Sequence, residues 1–325
     1  MKRIVLFLAI IAALPTPILH AKETLNILST IKPVHALVRA IAGDLVETHQ
    51  IIPDYASPHH YSLRPSDLRR LNAADLVFRI DPALESFLNK SLRNISTDKV
   101  INLTDTKSLT ILAARTPHAH REEHIDQHAD EAHHDDHEDA QDEDHNDDEK
   151  PVGAIDYHLW LNPDNAILMA NTMRDALIEA IPDHKETFAH NTQQLTEEIR
   201  KTSKAITQQL EPVKSTPFLV MHDAWQYFTQ YYQLNQLGTV SAQQRLKTSA
   251  KAIASARKML MDSNVQCLVA EPNLKQRTLT VLTEGLPVNT TEIDPLGRNP
   301  DESGTSYPQL LQYTADKLLN CLQKK

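Results

Sequence analysis

The chain of 325 residues has only two cysteines, Cys267 and Cys321, and neither stands near the N-terminus. An acyl anchor therefore has no cysteine to attach to. Beyond the first residues no apolar run approaches the roughly 20 residues of a membrane-spanning helix, so no spanning segment is expected. There is no basic stripe and no aromatic stacking platform, and nucleic acid is not an expected partner. An H-E-x-x-H helix, the usual signature of a zinc hydrolase, is also missing.

What stands at the start is a secretory pattern. Lys2 and Arg3 precede an apolar run from Ile4 to Leu14, and Leu19-His20-Ala21 closes it as a small-residue cleavage site. Residues 1–21 are thus expected to be a signal peptide, and the periplasm is the expected compartment. In an oxidising compartment two cysteines predict a Cys267–Cys321 disulfide rather than two buried thiols. It would tie the last helix to the C-terminal half and contribute up to about 4 kcal/mol.

The formal net charge of −10 is concentrated in one place. Residues 118–150 hold 15 acidic and two basic residues, a local charge of −13, so the rest of the chain is at +3. The same segment carries His118, His120, His124, His128, His133, His134, His137 and His145, eight of the 17 histidines. With almost no apolar residues it cannot offset its ordering entropy, and a disordered His/Asp/Glu-rich loop is expected.

On either side of the insert, strand and helix alternate. Strands are expected near 24–30, 45–53, 75–80 and 99–103, and again near 217–221, 233–240, 265–270 and 288–293, with helices between them, among them 83–91. This rhythm predicts an α/β fold with parallel sheets. A chain of this length is expected to form two lobes, each with a core. Residues 183–210 read as a long helix with a thin stripe, Phe188, Leu195, Ile199 and Ile206, and so as the link between an N-terminal lobe, 22–182, and a C-terminal lobe, 211–325.

Ligands of parallel α/β sheets bind outside the carboxyl ends of the strands. His59, His222 and Asp294 fall at such ends, and His158 follows the insert in Tyr157-His158-Leu159-Trp160. Three imidazoles and a carboxylate form a zinc-type set, whereas more carboxylates would favour manganese. His60 competes with His59 for the first position. Taken singly, His222 would be a satisfied buried histidine and Asp294-Pro295 a turn. Trp160 and Trp225 are expected in the core or the cleft wall, and His35, His49, His184 and His190 in solvent.

Four ordered motifs, H-H-Y-S-L-R-P-S-D, Y-H-L-W-L-N-P, F-L-V-M-H-D-A-W-Q-Y-F and E-I-D-P-L-G, make the chain resemble the periplasmic zinc-binding component of high-affinity zinc ABC importers. The likeness covers essentially all of the chain after residue 21. It implies two (βα)4 lobes joined by one long rigid helix, with Zn2+ bound in the interlobe cleft. It singles out His59 over His60 and carries His158 and His222 over as ligands. Asp294 matches an aspartate that is a direct ligand in manganese-type relatives and gives way to water in some zinc-type ones. Some zinc-type members have an acidic residue where this chain has Pro58, which moves the fourth-ligand question to Asp294. The cysteines look like a pair bridged in some members, and the insert like a weaker, accessory metal collector. The implied partners are an inner-membrane permease and its cytoplasmic ATPase, the implied state is a monomer, and no catalytic activity is expected. A manganese or iron carrier, a zinc hydrolase with Glu271 as base, and an adhesin are the competing readings.

Overall fold

The computed structural model describes residues 25–54, 56–115, 155–240, 250–272, 274–298 and 306–323. The expected signal peptide and the histidine-rich insert, with all eight of its histidines, lie outside the described residues.

The first lobe runs β1 (Asn26–Ser29), α1 (Lys32–Ala42), β2 (Glu47–Gln50), α2 (Pro65–Ala73), β3 (Leu76–Arg79), α3 (Asn89–Leu92) and β4 (Val100–Asn102). Two helices follow, α4 (Pro163–Ala180) and the long α5 (Lys185–Leu210). The second lobe runs β5 (Phe218–Val220), α6 (Gln226–Tyr231), β6 (Gln236–Thr239), α7 (Ala250–Asp262), β7 (Cys267–Ala270), α8 (Gln276–Thr283), β8 (Asn289–Glu292) and α9 (Tyr307–Gln323). Each lobe holds a four-stranded sheet, ordered β2-β1-β3-β4 in the first and β6-β5-β7-β8 in the second. Every pairing is parallel.

The residues explain the order. Leu-Val-Phe-Arg of β3, Phe-Leu-Val of β5 and Cys-Leu-Val-Ala of β7 are buried throughout, as strands covered on both faces must be. Glu-Thr-His-Gln of β2 and Asn-Thr-Thr-Glu of β8 are partly exposed and take the edges. On α1, Val34, Leu37, Val38 and Ile41 form one buried stripe at helical spacing. Asn162 caps α4, its side chain accepting from the backbone N–H groups of Asp164 and Asn165.

Three expectations change in the structure. Residues 83–91 form no single helix. A 3-10 turn at Ser86–Leu88 leads into the short α3, because the Glu85 carboxylate turns back to accept from the backbone N–H groups of Ile80 and Asp81. The thin stripe on α5 does not mark a bare strut. Phe188, Leu195, Ile199, Ile206 and Leu210 are all buried, and the helix packs along α1, α4 and α9. Nor are there two separate cores: one cluster runs from Ile27 and Phe78 through Trp160 and Phe188 to Phe218 and Leu322. A smaller cluster, including Leu219, Leu260, Leu268 and Leu282, lies between the second sheet and α7 and α8.

The Cys267–Cys321 disulfide joins β7 to α9 with Cα atoms 5.7 Å apart. No described helix is long and apolar enough to cross a membrane.

Candidate metal centre

The carboxyl ends of both sheets open onto one small cavity of about 30 Å³, whose lining includes His59, His158, Trp160, His222, Glu271, Asp294 and Arg298. His59 stands in the irregular stretch between β2 and α2, His222 two residues beyond β5, and Asp294 two residues beyond β8. His158 follows the isolated antiparallel bridge Ala113–Ile155 and precedes a 3-10 turn, Leu159–Leu161. Donor atoms of His59, His158 and His222 all lie within 4.8 Å of one another. The ring centroids are 5.6 Å apart for His59–His158, 5.7 Å for His59–His222 and 5.1 Å for His158–His222.

Two of the imidazoles are oriented by carboxylates. His158 is buried, and its Nδ1–H donates to Asp156 Oδ1 at 2.7 Å while its backbone N–H reaches the same oxygen at 3.0 Å. His222 Nδ1–H donates to Glu271 Oε1 at 2.5 Å. A proton held on Nδ1 leaves the Nε2 lone pair for a metal, the usual arrangement of a metal-binding histidine. Burial pulls the His222 imidazole down, but the charge of Glu271 and its hydrogen bond outweigh burial and raise its pKa above the ordinary histidine value.

Asp294 lines the same cavity but stands outside the tight group of three imidazoles. Its Oδ1 accepts from the Leu296 backbone N–H at 2.9 Å, and Arg298 Nε lies 3.4 Å from its Oδ2. Burial pushes the Asp294 carboxyl up to about 6, against the pull of the Leu296 N–H and Arg298. The turn that carries both residues is tight. Gly297 has φ +70°, its N–H donates to the Asp294 carbonyl at 2.8 Å, and a Cβ there would meet Leu310 Cγ at 2.1 Å.

His60, the rival of His59, is exposed and does not line the cavity. Trp160 is fully buried beside His158, and its Nε1–H donates to the Pro295 carbonyl at 2.8 Å, bonding the His158 segment to the Asp294 turn. His35, expected in solvent, is instead half-buried, with Nδ1 2.9 Å from Ser29 Oγ, and burial lowers it to about 4. Sequence reading missed Asp156 altogether and named Glu271 only as a possible base. The one local signal for Glu271 was its place at the end of the apolar strand Cys-Leu-Val-Ala.

Three imidazoles converging on one small cavity suit a borderline-soft divalent cation, zinc before manganese. Comparison with known proteins agrees. Over 297 residues the chain is 34% identical to the high-affinity zinc uptake system protein ZnuA of Haemophilus ducreyi, covering 91% of this chain and 93% of that one. A crystal structure of ZnuA superposes with a TM-score of 0.72 at 20% identity, covering 93% of this chain and 100% of the other. The solute-binding protein FpvC of Pseudomonas aeruginosa in complex with Mn2+ gives 0.72 at 18%, with 93% and 99% covered. At such identities the two structures speak to the fold alone. The family model described as "Zinc-uptake complex component A periplasmic" matches residues 27–321, and the chain belongs to that family.

Proposed function

We propose that this protein captures Zn2+ in the periplasm with His59, His158 and His222 and delivers it to an inner-membrane ABC permease driven by a cytoplasmic ATPase. The observation that carries the reading is the meeting of three imidazole donors within 4.8 Å, brought together from the two lobes. As a member of its family it is the periplasmic binding component of a zinc uptake system, not an enzyme. Asp294 or a water completes the coordination. Residues 22–182 and 211–325 act as the two lobes, 183–210 as the helix between them, and the carrier works as a monomer. His118, His120, His124, His128, His133, His134, His137 and His145 serve as a weaker collecting element whose tether keeps loosely held ions near the cavity. A hydrolase reading needs a free general base beside an open coordination position. Glu271, the base it would use, is engaged by His222, which favours the carrier.

The test is calorimetric titration of metal-stripped protein with zinc and with manganese. His59→Ala, His158→Ala and His222→Ala are each expected to lose tight zinc binding, and retention in all three overturns the site. Deletion of residues 118–149 is expected to remove the weaker stoichiometry and leave one tight site.

A further inference from the structure

We infer that Arg298 sets the metal preference of the cavity by holding Asp294 back from the three imidazoles. The inference rests on the His59–His158–His222 site just proposed. Arg298 and Asp294 both line that cavity; Asp294 Oδ1 accepts from the Leu296 N–H at 2.9 Å, and Oδ2 forms an ion pair with Arg298, whose Nε is 3.4 Å away. The two side chains are only partly exposed, so the pair is screened less than a surface ion pair. The spacing of four residues is held by the turn at Gly297, where no Cβ fits. Glu271, the other carboxylate of the cavity, is committed to His222 Nδ1. Asp54, also in the lining, pairs with Lys32 Nζ at 3.2 Å. Each of these three carboxylates thus has a protein partner of its own, and the donors that converge are nitrogens.

That arrangement discriminates. Zinc is satisfied by three imidazoles and one further light ligand in a tetrahedral set, whereas manganese needs more ligands and favours carboxylate oxygen. With Asp294 held by Arg298, a manganese ion would have to displace an ion pair to gain its carboxylate. Without Arg298 the carboxylate is free to turn toward the imidazoles, and the gain goes mainly to the metal that needs oxygen.

The experiment uses the full chain with Arg298→Gln, Asp294→Asn and the double variant, stripped of metal. Zinc affinity is read by chelator competition and manganese affinity by electron paramagnetic resonance of the free ion. Arg298→Gln is expected to tighten manganese binding about fivefold, the upper end of what release of such an ion pair gives, with zinc changed less than about twofold. The gain should vanish in the Asp294→Asn background. An equal gain for both metals would report the loss of a positive charge alone, and either that result or a gain that persists without Asp294 overturns the inference. His222→Ala, run beside them, separates the two readings. If it keeps tight zinc, the site itself fails, whatever Arg298 does. Thermal unfolding of each metal-stripped variant checks that the fold is intact, and should Arg298→Gln unfold, Arg298→Met, which keeps an apolar stem and loses the charge, carries the test with the same expected direction.

Discussion

Removing Glu271 is the sharpest probe of the proposed zinc site. His222 Nδ1 and Glu271 Oε1 are 2.5 Å apart, and both side chains are largely buried. Such a bond fixes the ring's tautomer and direction, and loss of a carboxylate behind a metal-binding histidine costs about 10- to 100-fold in affinity, or about 1.4 to 2.7 kcal/mol. The two ends of that range are separable here. Glu271→Gln keeps an acceptor for Nδ1–H and loses the charge, so about tenfold is expected. Glu271→Ala loses both and should approach about 100-fold. The pH dependence carries the sign. Burial lowers the His222 pKa, Glu271 more than restores it, and the net value is raised. A proton and a metal compete for the same ring, so in the wild type the competition begins at a higher pH than it would without Glu271. As pH falls, the wild type loses affinity first, and the gap to Glu271→Gln narrows. Chelator-competition titrations from pH 8 to 5.5 measure both the gap and its slope. Binding by Glu271→Ala within about threefold of wild type at pH 8, or a gap that stays constant with pH, refutes the reasoning.

Two further perturbations test the frame around the site. Gly297→Ala places a methyl 2.1 Å from Leu310 Cγ at a φ of +70°, and backbone strain plus overpacking should cost about 2 to 4 kcal/mol in denaturant unfolding; a loss under about 1 kcal/mol would mean that α9 yields freely. Glu85 is wholly buried beneath the ends of β1 and β3, accepting from Thr30 Oγ1 and two backbone N–H groups, and burial raises its carboxyl to about 7 from 4.5 despite those bonds. The folded value exceeds the unfolded one, so its contribution to stability is fully present below about pH 4.5 and is lost as pH rises through about 7, by about 3 kcal/mol. Metal-stripped Glu85→Gln should lack that decline, and parallel stability–pH curves for the two proteins would refute it.

The fold was legible where burial is written into composition. The apolar runs of the central strands and the alternation with helices point to two parallel sheets. What periodicity could not show is how the sheets share a core. The stripe on α5 is thin, yet along its length the helix packs against three others, α4, α1 and α9, rather than on one flat layer. Local spacing registers the narrowness and not the length of what it covers. Similarly, His222 and Asp294 were visible as the ends of strands, while His158 was not, since it hangs from a single bridge and a 3-10 turn.

The residues that orient the imidazoles were the least legible, for a different reason. Glu271 acts on a partner 49 positions away and Arg298 through a turn, so neither has a local pattern of its own. Asp156 belongs to the same class, and its surroundings show where the site can give. Its backbone carbonyl accepts from Tyr227 of α6 at 2.9 Å, its carboxylate holds His158, and Trp160 two residues on bonds Pro295 while its carbonyl accepts from Tyr307 of α9 at 2.6 Å. His158 is therefore held from both lobes. Two imidazole nitrogens on one tetrahedral zinc lie about 3.4 Å apart, given bonds of about 2.0 to 2.1 Å, so on the proposed reading donors within 4.8 Å of one another close by up to about 1.4 Å when zinc binds. With His158 clamped and His222 backed by Glu271, the proposed site predicts that this closure is taken up outside regular structure, in the stretch between β2 and α2 that carries His59, and crystal structures with and without zinc measure it.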